Sequence, residues 1–600
     1  MAPCVYIGID FGTTFSGAAW ALSSRPEDIK IVTRWRSNHS FNTDDAKAPT
    51  QLVYAPQNRY DSHSSMSYGF SSGRKVASWG YEIDTKQEPL KWFKLCLEQK
   101  AKLHPDVQKS PQLATAESML SREGVTPVDA AADYLRQLWE SIVEDLERQC
   151  GATAVKGLPF RVILTVPAMW SDSAQNNTRQ AAQKAGILQS RLCGETTLDL
   201  VPEPEAAALA TLAEFNDRPG VQRGDVITVC DCGGGTVDIT SYTIQNINPM
   251  FVKEAVNGDG KMCGSIFVDE QFQTFLRGRL KRWDKLNSEQ VKRVMDHEWE
   301  YGIKRRFSGE DGTFEVELPA EATGSVFSRK ASRLKLDKRG VQSIFDPVLG
   351  RVRQLIGNQV KQVQEKYGKP PKYIMLVGGF GACRYLHHVV EKEFSRQGIE
   401  VLQTTGNANY GPWTAICRGA VIKAMSGGGF EGPSKVKVTT RVAKRNYGLT
   451  AAQRFVDGFH LPIDKVWSNP EDCYFANNQM RWCLKKGVDV ATQHPVILSF
   501  YRLVQQPWEL GGGQLTCDIW ISEATTPENR KTMDVTKLCD IKVRIDTPFE
   551  RLPPHLNKAG QMFRRISYDI EMTCSGAELK FAAIINGTRQ DAQNVEALFS

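Results

Sequence analysis

Three short segments place carboxylates, glycines and hydroxyls at the ends of apolar runs. The first, VYIGIDFGTTFSGAAWA from Val5, offers Asp10 and then Gly12, Thr13 and Thr14. The second, VITVCDCGGGTVDITSYTI from Val226, offers Asp231, Gly233, Gly234, Gly235, Thr236 and Asp238. The third, YIMLVGGFGACRYL from Tyr373, offers Gly378 and Gly379, with Arg384 downstream. Glycine lets backbone N–H groups approach an anion closely, and threonine hydroxyls add short donors where a larger side chain would obstruct. The matching ligand carries concentrated negative charge on many acceptor oxygens, as a polyphosphate does. Carboxylates at such a site would repel phosphate unless a divalent cation lay between them. Magnesium held largely through its waters satisfies both, with Asp10, Asp231 and Asp238 as the candidate ligands. One of these acids could instead orient an attacking water, since positioning and electrostatics dominate phosphoryl transfer. Taken singly, each segment also reads as a tight turn at a sheet edge, and the GxxxxGK[ST] loop is absent. Three such turns in order make the phosphate reading the stronger one.

The elements that carry these residues follow from periodicity and punctuation. Val5 to Gly12 reads as a buried strand ending in a turn. Val128, Leu135, Leu138, Trp139, Ile142, Val143 and Leu146 recur on one face and predict a core helix over 128–149. RVILTVPAMWSDSAQNNTRQAAQKAGI predicts a strand, a proline exit, a cap at Ser171 or Asp172 and a helix ending near Gly186. The strand and turn at Val226 repeat the logic of the first, which implies a duplicated architecture. SGGGFEGPS, Ser426 to Ser434, reads as a flexible boundary. Beyond it, LTCDIWIS, IKVRI, ISYDIEMTC and ELKFAAII alternate as half-buried strands do. The expected domains are therefore 1–425, a linker at 426–435 and a β-rich domain over 436–600.

At 600 residues, with 41% hydrophobic and 24% charged, the chain has an ordinary globular composition and room for more than one core. A formal charge of +7 from 75 basic and 68 acidic residues is too mild to suggest nucleic-acid binding. No apolar run is long enough to span a bilayer, and the first strand begins too early for a leader, so a cytoplasmic chain is expected. The 14 cysteines lack paired spacings and read as reduced thiols. Cys230 and Cys232 share the strand face opposite Asp231 and read as packing residues. Adjacent His387 and His388 cannot face one ligand from a helix. The Asn586-Gly587-Thr588 sequon reads as a turn.

As an ordered set, IGIDFGTTFSGAAWA, VPAMWSDSAQNNTRQAAQKAGI, LVPEPEAAALA, DCGGGTVDITSYTI and LVGGFGACRYL resemble the signature segments of the actin-like ATPase superfamily. Within it they are most similar to the seventy-kilodalton heat-shock (DnaK-type chaperone) family, in a divergent form of the fungal or twelfth vertebrate kind. The match spans about residues 5–425. The resemblance implies an α/β fold with a two-lobed, ribonuclease H-like ATPase domain clamping ATP or ADP with Mg²⁺, and K⁺ as a further possible ion, followed by a smaller β-rich domain. Asp10, Thr13 and Thr14 fall on its first phosphate motif, and Asp231, Gly233 to Gly235, Thr236 and Asp238 on its second. Glu203 in PEPEAAA matches its connecting acid. Gly378, Gly379 and Arg384 match the adenosine motif. YGIKRRFSG resembles the adenine-side helix and points to Lys304, Arg305 and Ser308, with Gly264 a further nucleotide contact.

Three departures shape the expectation. The family's catalytic lysine position holds Asp84, so either Lys75 or Lys86 substitutes or hydrolysis is slow. Phe380 stands where a small hydroxyl residue is usual. The family's linker, helical lid and acidic tail find no counterpart, which argues against its J-domain and tail-binding cochaperones. The implied function is a slow ATPase that couples nucleotide state to a polypeptide client or protein partner through 436–600. A nucleotide-sensing scaffold with little hydrolysis and a sugar-type kinase are the alternatives, and an actin-like filament protein fits least.

Overall fold

The computed structural model describes all residues except 1–2, 38–44, 57–73, 85, 104, 216–219, 324–331, 404–410, 427–433, 435, 493, 511–512, 546, 576–577, 591–594 and 600. The described chain divides into two compact units, Met1–Lys437 and Val438–Ser600. Most of the expected glycine-rich linker lies outside the described residues.

The first unit contains the same strand arrangement twice. In the first sheet Arg25–Ile31, Phe15–Leu22, Val5–Asp10, Phe160–Val166 and Thr197–Pro202 lie side by side in that order. The first three are antiparallel, and Val5–Asp10, Phe160–Val166 and Thr197–Pro202 run parallel. In the second sheet Met250–Lys261, Val237–Asn246, Val226–Cys232, Tyr373–Val377 and Glu400–Gln403 repeat the order and the senses. Each sheet thus delivers an aspartate at the end of its central strand, Asp10 opposite Gly17 and Asp231 opposite Asp238. This is the two-lobed actin-like α/β fold. The central strands are buried on both faces, which explains why they read as continuous apolar runs rather than alternations.

Helices close the faces where the sequence punctuates them. Pro127–Cys150 starts at Thr126, whose hydroxyl accepts from the Asp129 N–H at 3.1 Å. Asp172–Lys184 is capped by Ser171, and Gly186 follows in the left-handed region at φ 88°. Lys338–Tyr367 starts at Asp337 and buries Val341, Ile344, Phe345, Val348, Val352 and Leu355 in the second lobe's core.

Two helices bind the lobes at one crossing. Glu203–Phe215 leaves the first sheet and Ala415–Ser426 returns to it. They approach so closely that a Cβ on Gly419 would lie 1.6 Å from the Ala206 carbonyl oxygen. Gly8, in the first central strand, leaves the same kind of space for the Cys417 carbonyl of the returning helix, 2.3 Å from an added Cβ.

The second unit is built from strands. Lys465–Ser468, Cys473–Leu484, Asn446–Arg454, Gln514–Ser522, Thr536–Arg544 and Val595–Phe599 form one sheet in that order. Val496–Val504, Met562–Ser575 and Glu578–Ile585 form the body of another. Leu449, Ile519 and Ile541 from one sheet share a core with Leu498, Ile566 and Ile570 from the other, as in a β-sandwich.

Candidate functional site

The first turn is held by its own side chains. The Gly12 N–H donates to Ser16 Oγ at 3.2 Å, and Thr50 Oγ1 donates to the Gly12 carbonyl at 2.9 Å. A Cβ on Gly12 would fall 2.0 Å from the Phe15 carbonyl oxygen, so the turn closes only around glycine. In the second turn the carbonyls of Gly233, Gly234 and Gly235 accept from the N–H groups of Ser265, Ile266 and Gly264 at 3.0–3.2 Å. Those carbonyls are spent on the start of helix Ser265–Arg279, and the Gly233 N–H donates to the Thr236 carbonyl at 2.9 Å, so what the turn can offer an anion is its remaining donors.

The turns meet. A Cβ on Gly234 would lie 2.3 Å from Thr14 Oγ1, and one on Gly235 would lie 3.2 Å from Thr13 Oγ1. Gly264 faces the Gly234 carbonyl at 2.4 Å from its own missing Cβ. Gly378, at φ 80°, packs against Asp231 Oδ1 and the Cys232 carbonyl, each 2.5 Å from where a Cβ would stand. Residues from positions 12–14, 233–236, 264 and 378–379 therefore converge, one lobe supplying the first set and the other lobe the rest.

Asp10, Glu203, Asp231 and Asp238 are all buried around this convergence, together with Lys47 and Lys94. Lys47 Nζ donates to Asp10 Oδ2 at 2.5 Å from strand Lys47–Pro49, and Gly17 leaves room for its stem. Lys94 Nζ donates to Glu203 Oε1 at 2.7 Å and to the Phe11 carbonyl. Burial, and then the neighbouring Glu203, Asp238 and Asp10, push the Asp231 carboxyl well above the usual carboxylate range. Burial also raises Glu203, and the Lys94 ammonium offsets only part of that. Burial lowers Lys47, but its neighbours, Asp10 first, together raise it above its ordinary value, so its ammonium is held charged.

One consequence concerns stability. The folded-state pKa of Asp231 stands above its unfolded value of about 3.9, so its contribution is fully present below the unfolded pKa and is lost as pH rises through the folded one. Asp231→Asn cannot ionise. Without nucleotide or divalent ions, this variant is expected to melt a few degrees above wild type near neutral pH, with the gap closing toward about pH 4. Thermal melts across that range check it, and a variant melting below wild type at neutral pH contradicts it.

The nucleoside-side candidates occupy neighbouring elements. Phe307 and Tyr385 rings lie 4.7 Å apart, which sets the 305–309 segment against helix Arg384–Phe394. Ser308 is half-buried there, and Arg384 is exposed at the helix start. Lys304 is buried between Asp269 at 2.7 Å and Glu300 at 2.9 Å, which raise it against the lowering effect of burial. Arg305 donates to Glu300 at 3.0 Å, with its guanidinium 4.6 Å above the Tyr301 ring. The helix that carries Lys304, Val294–Lys304, is a π-helix, a form that periodicity does not announce.

Asp84 lies exposed in a turn and accepts from the Lys86 N–H at 2.8 Å, and both Lys75 and Lys86 are exposed. The lysines that enter the acid cluster are Lys47 and Lys94, neither anticipated from the sequence. A signal existed for Lys94, a single charge inside the apolar run WFKLCL. Trp413 was also missed. Its ring edge stands 2.6 Å from the place a Gly379 Cβ would take, and its ring centroid lies 5.4 Å from that of Phe15 and 5.3 Å from the Lys47 ammonium. Cys230 and Cys232 lie with their Sγ atoms 3.5 Å apart, buried and unbridged. Among the described residues no helix is long and apolar enough to cross a membrane.

A two-lobed fold with duplicated sheets and three facing glycine turns defines the actin-like ATPase class. The family model described as Hsp70 protein matches residues 95–428, more than half the chain, and the chain belongs to that family. It is similar to human heat shock 70 kDa protein 12A, 23% identical over 561 residues that cover 80% of this chain and 75% of that protein. It is similar also to human heat shock 70 kDa protein 12B, 24% identical over 80% of this chain and 74% of that protein. The chaperone protein DnaK of Thermus thermophilus is 27% identical over 50% of this chain and 43% of its own length. The chain is thus a divergent Hsp70-like protein.

Proposed function

We propose that the Met1–Lys437 unit binds ATP and ADP with magnesium where the three turns meet, and cleaves ATP slowly. The observation that carries this reading is the contact of Gly234 and Gly235 with Thr14 and Thr13 across the two lobes. Amides of the two turns and the hydroxyls of Thr13, Thr14 and Thr236 would bind the phosphates. Gly378, Gly379, Arg305, Ser308 and Arg384 would line the nucleoside end, with Lys304 buttressing it through its two carboxylates.

Magnesium fits the acids present. Asp231 Oδ1 is buried without a hydrogen-bond partner, and the surplus of carboxylates over lysines leaves negative charge to be met. Asp10, Asp231 and Asp238 would hold the ion chiefly through water. Among the described residues no three acids, histidines or cysteines converge on a direct metal cage. When bound, the ion neutralises charge on the phosphate oxygens. Glu203 would orient the attacking water, and Asp231 Oδ1, which no group among the described residues engages in a hydrogen bond, would accept the water's proton.

The Val438–Ser600 unit would hold a polypeptide or protein partner under control of the nucleotide. It exposes Phe459, Leu461, Ile463, Val466 and Trp467 within one short stretch, and apolar surface of that kind marks interaction sites. Protease sensitivity of residues 426–435 that changes between ATP and ADP supports that control, and identical digestion opposes it.

Single-turnover hydrolysis, with protein in excess over labelled ATP and with Mg²⁺ and K⁺ present, tests the cleavage step. Slow phosphate release is expected, reduced at least about 100-fold in Asp231→Ala. ATP bound but recovered intact would instead favour a nucleotide-sensing scaffold, a reading to which the Lys47 ammonium on Asp10 lends support.

A further inference from the structure

We propose that Lys94 is a positioning residue for ATP cleavage, one that aims the Glu203 carboxylate from the backbone of the first turn. The proposal rests on the ATP reading above. Lys94 is 1% exposed, and lysine is almost never buried this fully without a partner. Its ammonium makes two contacts that no other side chain combines among the described residues: the Phe11 carbonyl, between Asp10 and Gly12, and Glu203 Oε1 at 2.7 Å. The ring centroids of Phe11 and Trp170 lie 5.4 and 5.2 Å from the ammonium, which sits over both faces. Glu203 is the first residue of the helix that crosses between the lobes. One ammonium therefore fixes the distance between the turn that meets the phosphates and the acid at the head of the crossing helix.

The other lysines do not offer this geometry. Lys47 is committed to Asp10, and Lys75 and Lys86 are exposed. Asp84 is also exposed, tied to its own turn. A lysine introduced at position 84 would start from solvent rather than from the acid cluster. A cation that merely neutralised buried charge would affect folding alone. A cation that aims Glu203 sets the cleavage rate at unchanged ATP affinity, and acts only while Glu203 is present.

The test is a double-mutant cycle in the full chain, reading single-turnover cleavage of ATP, its dissociation constant and the melting temperature. Lys94→Met is expected to slow cleavage at least about 30-fold while ATP affinity changes less than about 3-fold, and Glu203→Gln to do the same. The double variant is expected to be no slower than Glu203→Gln alone. Lys94→Arg is expected to recover part of the rate, and Asp84→Lys none beyond wild type. If Lys94→Met does not fold, the double variant removes both charges together and is compared with Glu203→Gln directly. Wild-type cleavage in Lys94→Met, losses that multiply in the double variant, or acceleration by Asp84→Lys would each overturn the assignment and leave ATP binding standing. Wild-type protein that binds ATP without cleaving it overturns the Lys94 role alone, whereas absence of ATP binding removes the underlying reading itself.

Discussion

Gly419→Ala is expected to keep the Met1–Lys437 unit from folding. The added Cβ would stand 1.6 Å from the Ala206 carbonyl oxygen and 2.4 Å from its carbon, and both belong to backbone inside a helix. A side chain could swing aside, but a helix must translate. Helix Ala415–Ser426 cannot do so, because it is also seated on Gly8 of the first central strand and is buried along most of its length. Overpacking of a core by a methyl usually costs about 1–3 kcal/mol, and this contact belongs in the tail beyond about 4 kcal/mol. Gly357→Ala is the control. It lies inside helix Lys338–Tyr367 with nothing within 4 Å of an added Cβ, and is expected to be neutral or to stabilise by up to about 1 kcal/mol. Denaturant melts of the two variants check the contrast, and a Gly419→Ala protein with the wild-type midpoint contradicts the crossing.

Gly234→Val is expected to weaken ATP binding by at least about 100-fold, near 2.7 kcal/mol, in a protein that still folds. The obstruction here is a threonine side chain, with Thr14 Oγ1 2.3 Å and Cγ2 3.0 Å from the added carbon, so the fold can yield by turning Thr14 away. That movement removes a hydroxyl from the phosphate side and fills the gap between the two turns with methyl groups. Calorimetric titration with Mg-ATP, alongside a melt without nucleotide, separates the two effects. Affinity within a few-fold of wild type would show that phosphates do not pass between the turns.

The parts of this fold that a reader of the sequence could see are those governed by local rules. Asp10 and Asp231 end buried strands, and the glycines beside them announce turns, because the chemistry of a turn is written in consecutive residues. The duplicated sheets follow from that repetition. Lys47 and Lys94 could not be found the same way. They reach Asp10 and Glu203 across 37 and 109 residues, and the pairing is fixed by sheet order rather than by any local pattern. Trp413 comes to Gly379 through the return of a distant helix. The π-helix Val294–Lys304 spreads its hydrogen bonds over five residues and breaks the 3.6 period on which helix reading depends. Asp84 shows the converse: alignment of a motif placed it at a catalytic position, while the turn it forms with Lys86 carries it to the surface.

Calorimetric titration of the full wild-type chain with ATP, ADP and AMP, each with Mg²⁺, tests the central claim most directly. Three turns that read phosphates predict one site for ATP and ADP and binding of AMP weaker by at least about 100-fold, since AMP lacks the β- and γ-phosphates that the facing threonines and glycine amides would hold. Equal affinity for AMP and ATP, or no heat from any of the three, would contradict it.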